Sequence, residues 1–201
     1  MANGIKIGNL TIDSFKVGSA DCKVYLGDYL LYSGGTTPPT PAFEGKWKAT
    51  YSDSSITSAE CGVSSAISEN EITLTNLVSV EIGNCITSIG YNAFYQCSSL
   101  TSCTIGSGVT SIGASAFRNC SSLTVITIPD SVTSIGSYTF YQCSGLTSII
   151  VEAPTPPTFG SEAFEYTNNC PIYVPSGSVN TYKSDTYWSL YASRIQAIPT
   201  V

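Results

Sequence analysis

Ile105-Gly-Ser-Gly-Val-Thr-Ser-Ile-Gly-Ala-Ser-Ala-Phe-Arg-Asn-Cys-Ser-Ser-Leu-Thr-Val-Ile-Thr127 is one period of a chain that repeats itself. Steps of 23 residues from Ile105 meet Ile82, Ile128, Val151 and Val174. The same step links Val80, Cys103, Ile126, Ile149 and Ile172. A third column holds Leu77, Leu100, Leu123 and Leu146, and Asn169 stands where a fifth leucine is due.

Each unit opens with L-x-x-L-x-L grammar, as in Leu123, Ile126 and Ile128. A fixed period in the twenties with this opening is the signature of a leucine-rich-repeat solenoid, here residues 77–174. Leu100, Cys103 and Ile105 take the inward strand positions, and Val109 and Ile112 turn inward on the next side. Ala116, Phe117 and Cys120 have the spacing of one short helical turn. Gly113 repeats Gly90 and Gly136, which calls for positive φ or a close backbone approach. One unit cannot close a core alone; only stacking hides its apolar side chains. The fourth unit departs: Val151-Glu-Ala-Pro-Thr-Pro-Pro-Thr158 replaces the usual second side, and Phe159-Gly160 arrives one residue late. Phe164 holds the Phe position, and the register returns at Ile172 and Val174.

The flanks read differently. Residues 1–33 have the pattern of a small β module, with a short strand at Ile5–Ile7, an apolar run at Phe15–Val17 and a hairpin over Lys23–Tyr32. About 33 residues are too few for an independent core, so this module is expected to lean on another surface. Residues 34–41 form a Gly/Pro linker. Residues 42–76 are polar with apolar anchors and read as an N-terminal cap of short strands, with Trp47 and Tyr51 placed to cover the first coil. Residues 175–201 read as the C-terminal cap. There Ser178 stands ready to cap a short helix bearing Val179 and Tyr182, and Trp188, Leu190, Tyr191, Ile195 and Ile198 form an apolar close. The predicted fold class is mainly β: a solenoid with short helical turns, plus a small N-terminal β module.

Composition bounds the chemistry. The chain has 201 residues, 11% charged, and a net charge of −6. A nucleic-acid surface needs clustered Lys and Arg, so no nucleic-acid partner is expected. No run of 18 apolar residues is present, so no membrane insertion is expected. Met1-Ala2-Asn3-Gly4-Ile5-Lys6 lacks the basic and apolar regions of a signal peptide. There is no His, so no Ser-His or Cys-His nucleophile can form. Between Gly83 and Ile150 the charged residues are Arg118 and Asp130, too few for an acid–base pair. Asp53 near Glu60, and Glu69 near Glu71, read as solvated loop charges. No phosphate loop, calcium loop or zinc-protease motif appears. The expectation is a non-enzymatic protein without cofactor or metal.

Eight cysteines remain. Cys97, Cys120 and Cys143 form one column, and Cys22, Cys61, Cys85, Cys103 and Cys170 show no zinc-like spacing. The column reads as stacked buried thiols, because thiols in neighbouring coils point the same way while a disulfide needs facing Cβ vectors.

Binding, if any, falls to the outward strand positions. These are Val78, Ser79 and Glu81; Thr101, Ser102 and Thr104; Thr124, Val125 and Thr127; Thr147, Ser148 and Ile150; and Cys170, Pro171 and Tyr173. Five strands at ~4.8 Å make a face about 20 Å across, nearly uncharged and rich in hydroxyls. The candidate binding face is Ser102, Thr104, Val125, Thr127, Ser148, Ile150 and Tyr173, with Val125, Ile150 and Tyr173 as its apolar diagonal. β-propensity alone also accounts for Thr and Val at such positions.

The units Thr-Ser-Ile-Gly-x-x-x-Phe-x-x-Cys-Ser-x-Leu-Thr at 87–101, 110–124 and 133–147 resemble the BspA-like class of leucine-rich repeats. Residues 172–183, with Trp188 and Tyr191-Ala-Ser-Arg-Ile195, resemble that family's C-terminal end, so the likeness covers about 77–198. It implies a stacked solenoid used for protein or cell-surface binding, as in bacterial adhesins. Residues 4–33, with Gly4-Ile-Lys-Ile-Gly8 and Lys23-Val-Tyr-Leu-Gly-Asp-Tyr-Leu-Leu-Tyr32, are similar to short N-terminal modules on virion proteins of tailed phages from gut bacteria. That likeness implies virion partners docked through residues 1–33, on capsid or tail. The solenoid would then be displayed toward a host-surface protein or glycan, or toward neighbouring subunits. The expected place is a virion assembled in host cytoplasm; the alternative is a bacterial cell surface. Homo-oligomers are left open.

Overall fold

A computed structural model describes residues 76–199 continuously, with 47–54, 56–59 and 66–67, and the strand backbones at 5–7, 10–12, 23–26 and 29–33. Phe15–Val17 and the linker 34–41 lie outside the described residues. The chain separates into two compact units, Met1–Ala42 and Phe43–Val201.

In the first unit β1 (Ile5–Ile7) pairs antiparallel with β2 (Leu10–Ile12). The predicted hairpin is present: β3 (Lys23–Leu26) pairs antiparallel with β4 (Tyr29–Ser33), with a register shift between Val24 and Tyr25.

The second unit is a solenoid whose coils have three sides. It opens with β5 (Trp47–Tyr51), β6 (Ile56–Ala59) and β7 (Ala66–Ile67). The repeats then alternate long and short strands: β8 (Leu77–Ile82), β9 (Ser88–Ile89), β10 (Ser102–Thr104), β11 (Ser111–Ile112), β12 (Val125–Ile128), β13 (Ser134–Ile135), β14 (Ser148–Val151), β15 (Thr158–Phe159) and β16 (Ile172–Val174). β17 (Ile195–Ala197) ends the chain's regular structure. The first side is an eight-stranded sheet in the order β17-β16-β14-β12-β10-β8-β5-β6, and the second is a five-stranded sheet in the order β15-β13-β11-β9-β7. The repeat strands are parallel and in register, as Val80–Cys103–Ile126–Ile149–Ile172–Ile195 shows. The 23-residue columns of the sequence are therefore the inside of the stack, and the buried core contains all three.

The core is tied together by four phenylalanines. Phe94, Phe117, Phe140 and Phe164 stack with ring centroids 5.0, 5.4 and 5.6 Å apart, and their planes lie within 15° of parallel. All four are fully buried, each worth roughly 1.5–3 kcal/mol in transfer free energy. Trp188 meets Phe164 at 5.5 Å and ends the pile.

On the third side the chain runs through tight turns, not the expected helical turn at Ala116, Phe117 and Cys120. Each coil places two non-glycine residues in the left-handed region four apart, such as Ser115 (φ 57°) with Asn119 (φ 64°) and Tyr138 (φ 59°) with Gln142 (φ 58°). This backbone aims alternate amides along the stack. The N–H groups of Asn92, Phe94 and Gln96 donate to the carbonyls of Ala114, Ala116 and Arg118 in the next coil, at 2.7–3.2 Å. A helix would keep those bonds within the coil, so the intercoil ladder wins. The short helices lie in the C-terminal cap instead: a 3-10 turn at Ser176–Ser178, α1 (Val179–Ser184) and a second 3-10 turn at Trp188–Tyr191.

The glycine column is settled as close approach. A Cβ on Gly113 would lie 2.7 Å from the carbonyl carbon of Gly90, and no positive φ is involved.

Three other readings are corrected. Cys170 is buried, not outward-facing, because the one-residue delay that starts before Phe159 persists through Phe164 and Thr167. Cys170 fills the leucine position, and Asn168 and Asn169, both left-handed, turn the chain to put it there; asparagine tolerates that conformation best among residues with a side chain. Leu190 is 76% exposed and is no part of the apolar close. Ser178 occupies the N-cap position of α1 but makes no side-chain cap bond, since the preceding 3-10 turn already leads into the helix.

At the amino end β5 runs antiparallel to β8, with Trp47 opposite Ile82 and Ala49 opposite Val80. Trp47 and Ala49 join the core and Tyr51 packs against it. Ala66–Ile67 pairs parallel with Ser88–Ile89, so the second sheet begins before Leu77. At the carboxyl end Tyr182 Oη donates to the Ala153 carbonyl (2.8 Å) and Trp188 Nε1 to that of Pro157 (2.7 Å).

Two substitutions test this packing in urea denaturation. Phe117→Ala, in the middle of the ring stack, is expected to cost about 3–5 kcal/mol. Gly113→Ala forces backbone apart and is expected to cost about 1–3 kcal/mol. A loss well below 1 kcal/mol at both positions would contradict the packing described.

Candidate binding face

Strand alternation sets which side chains leave the core. With Cys103, Ile126 and Ile149 turned inward, their neighbours must point outward. The structure brings the seven predicted residues together as two rows. In one row Ser79 pairs with Ser102, Ser102 with Val125, and Val125 with Ser148. In the other Glu81 pairs with Thr104, Thr127 with Ile150, Ile150 with Tyr173, and Tyr173 with Gln196. Ser102, Thr104 and Val125 are exposed; Thr127, Ser148, Ile150 and Tyr173 are half-buried. Cys170 does not join them. Counting β5, β6 and β17, the sheet is wider than the five repeat strands, about 34 Å at the usual strand spacing.

The flanking threonines do a different job. Thr101 Oγ1 donates to the Val78 carbonyl (3.0 Å), Thr124 Oγ1 to that of Thr101 (3.3 Å) and Thr147 Oγ1 to that of Thr124 (3.0 Å). Their hydroxyls bind one coil to the next and are not offered to a ligand. Thr110 and Thr133 repeat this bond beside the second sheet. β-propensity is thus only part of why threonine recurs.

Charge enters this face at its amino end, where Lys48 Nζ lies 3.3 Å from Glu81 Oε1 across strands. Both side chains are more than a third exposed, so the pair adds little stability. Thr104 and Thr127 also line a depression of about 380 Å³ with Ser107, Pro129 and Glu152. The arrangement offers a stiff, nearly uncharged contact surface.

The thiols are placed for packing. Cys97, Cys103, Cys120, Cys143 and Cys170 are free and buried, while Cys85 is disulfide-bonded. Cys120 Sγ donates to the Phe94 carbonyl (3.2 Å) and Cys143 Sγ to that of Phe117 (3.0 Å). Burial pushes the Cys120 thiol well up, and burial pushes Cys103 up as well. A thiol held neutral and out of water is a poor nucleophile.

The third side was overlooked in the sequence. Its polar columns are as regular as the apolar ones: Gln96, Asn119 and Gln142 recur at 23 residues, and so do Ser98, Ser121 and Ser144. Asking which polar columns repeat would have found them.

Residues 65–192 match the BspA type leucine rich repeat region, in six copies. The chain belongs to this family. No curated protein matches the chain. BspA-type repeats suggest a protein-binding or adhesion scaffold, which suits a face of this kind. Among the described residues no helix is long and apolar enough to cross a membrane.

Brief iodoacetamide labelling of the native chain should leave Cys97, Cys120 and Cys143 unmodified, with all three labelled in guanidinium. Peptide mass spectrometry reads this directly. Rapid native labelling of Cys120 would show that the column is open to solvent.

Proposed function

We propose that this BspA-type protein is a non-enzymatic virion protein of a tailed phage. Residues 1–33 dock onto capsid or tail, and the solenoid is displayed for contact with a host surface or neighbouring subunits. The observation that carries the contact role is the in-register sheet face of Ser102, Thr104, Val125, Thr127, Ser148, Ile150 and Tyr173. Parallel ladders pair its backbone from coil to coil, so its side chains are held in fixed rows. A preordered surface loses little entropy on binding. Support for the virion setting comes from the likeness of residues 4–33 to virion modules and from their falling within a separate compact unit. The absence of His from the sequence and the scarcity of charge along the repeats favour contact over conversion. The second reading is a bacterial surface adhesin or protein-binding scaffold, and it is this reading that the repeat family supports.

Immunogold labelling of the producing culture separates the two. Label on particles released by lysis, and none on intact cells, is the expected result. Label on intact envelopes would replace the virion setting with the adhesin reading. In either setting Thr127→Arg with Ile150→Glu, opposite charges on paired positions, is expected to lower attachment at least tenfold with little change in the melting temperature.

A further inference from the structure

The turns on the third side enclose an open groove of about 630 Å³ running across the coils. Gln96, Asn119 and Gln142 line it as one column, Ser98, Ser121 and Ser144 as another, and Tyr166 closes one end. None of these carries a charge. Each amide offers two donors and an acceptor, and each serine a hydroxyl that serves as both. Tyr166 is 64% exposed and is braced edge-on by Tyr141 at 5.2 Å.

The backbone makes these side chains conspicuous. Gln96, Asn119, Gln142 and Tyr166 sit at φ 61°, 64°, 58° and 57°. The turn needs that conformation, and glycine adopts it without steric cost. Gln and Tyr are poorly suited to it. The turn therefore accounts for the backbone but not for the side chains, and such local cost gathers at working sites. Asn119 Oδ1 is buried and has no hydrogen-bond partner among the described residues.

We propose that this groove binds a neutral, extended β-1,4-linked oligosaccharide lying along the solenoid axis. The amides and serines hydrogen-bond ring hydroxyls, and Tyr166 stacks on the apolar face of a sugar. Coils about 4.8 Å apart match the advance of one pyranose ring in such a chain. An anionic ligand fits poorly, because no cation lines the groove; Arg118 stands outside that lining, its guanidinium over the rings of Tyr138 and Tyr141 at 5.5 and 5.0 Å. A peptide strand fits poorly too, because the alternate N–H groups along these turns are already given to the next coil, leaving no edge to extend. The inference goes beyond the virion and adhesin readings and holds for either.

Titration calorimetry of the purified full chain tests it with cellotetraose, chitotetraose and β-1,4-mannotetraose, and a heparin tetrasaccharide as the charged comparison. Saturable binding of at least one neutral probe is expected. Gln142→Gly and Tyr166→Asn should each weaken it at least tenfold while leaving the melting temperature unchanged or higher, since Gly and Asn accept the left-handed backbone. Thr127→Arg, on the strand face, should leave it unchanged. Failure of all three neutral probes, binding of the heparin fragment alone, or equal affinity in both groove variants would overturn the assignment.

Discussion

A single coil of this chain cannot hide its own interior. Leu123, Ile126, Ile128, Val132, Phe140 and Cys143 become a core only when another coil lies on each side. Everything else follows from the need for coils to superimpose residue on residue. Parallel pairing in both sheets, the amide ladder on the third side, and the threonine hydroxyls that reach back one coil are all bonds between equivalent positions. The stacked phenylalanines are the same rule expressed in side chains. A change of one residue in one coil is therefore felt by both neighbours, and the glycine column shows how little slack remains.

A stack built this way has two raw ends, and the protein treats them differently. At the amino end the parallel ladder meets a strand of opposite direction, β5, which uses the edge of β8 and brings Trp47 over the first coil. At the carboxyl end the last coil departs from the repeat, and its Pro-rich segment leaves carbonyls that no following coil will use. Tyr182 and Trp188 donate to two of them. Arg194 serves others: its Nε donates to the Cys170 carbonyl at 2.8 Å and its Nη2 to Thr167 Oγ1 at 2.8 Å. Thr167 takes the place that Cys97, Cys120 and Cys143 hold earlier, and Tyr191 packs its ring edge-on against Phe164 at 5.7 Å. The irregular coil and its cap are fitted to one another.

Much of this was legible because burial punishes variation. Inward columns must stay apolar, so Leu77, Val80 and Ile82 announce the period, and strand alternation then places the outward rows. The third side was misread for a physical reason. Ala116, Phe117 and Cys120 have helix-like spacing, and the left-handed residues that rule a helix out are Ser115, Asn119, Tyr138 and Gln142, none of them the glycine that usually marks such turns. Cys170 was misread because a column count cannot see where an added residue is absorbed. The delay begins in the Pro-rich segment and ends between Cys170 and Ile172. Only the left-handed pair Asn168–Asn169 betrays it.

The outside obeys a weaker law than the inside. Nothing about burial requires Ser102, Val125 and Ser148 to share a row, or Gln96, Asn119 and Gln142 to share another. Stacking nonetheless brings equivalent positions within one coil spacing of each other, so a choice made once per repeat becomes a rank of like groups. On the strand face the ranks vary from hydroxyl to aliphatic to aromatic toward the carboxyl end, through Thr104, Thr127, Ile150 and Tyr173. That gradient suits contact with a surface whose own character changes over the same span. On the turn side the rank stays amide and hydroxyl, which suits a ligand that repeats. One architecture thus carries two kinds of surface, and the difference lies wholly in which outward positions were allowed to drift.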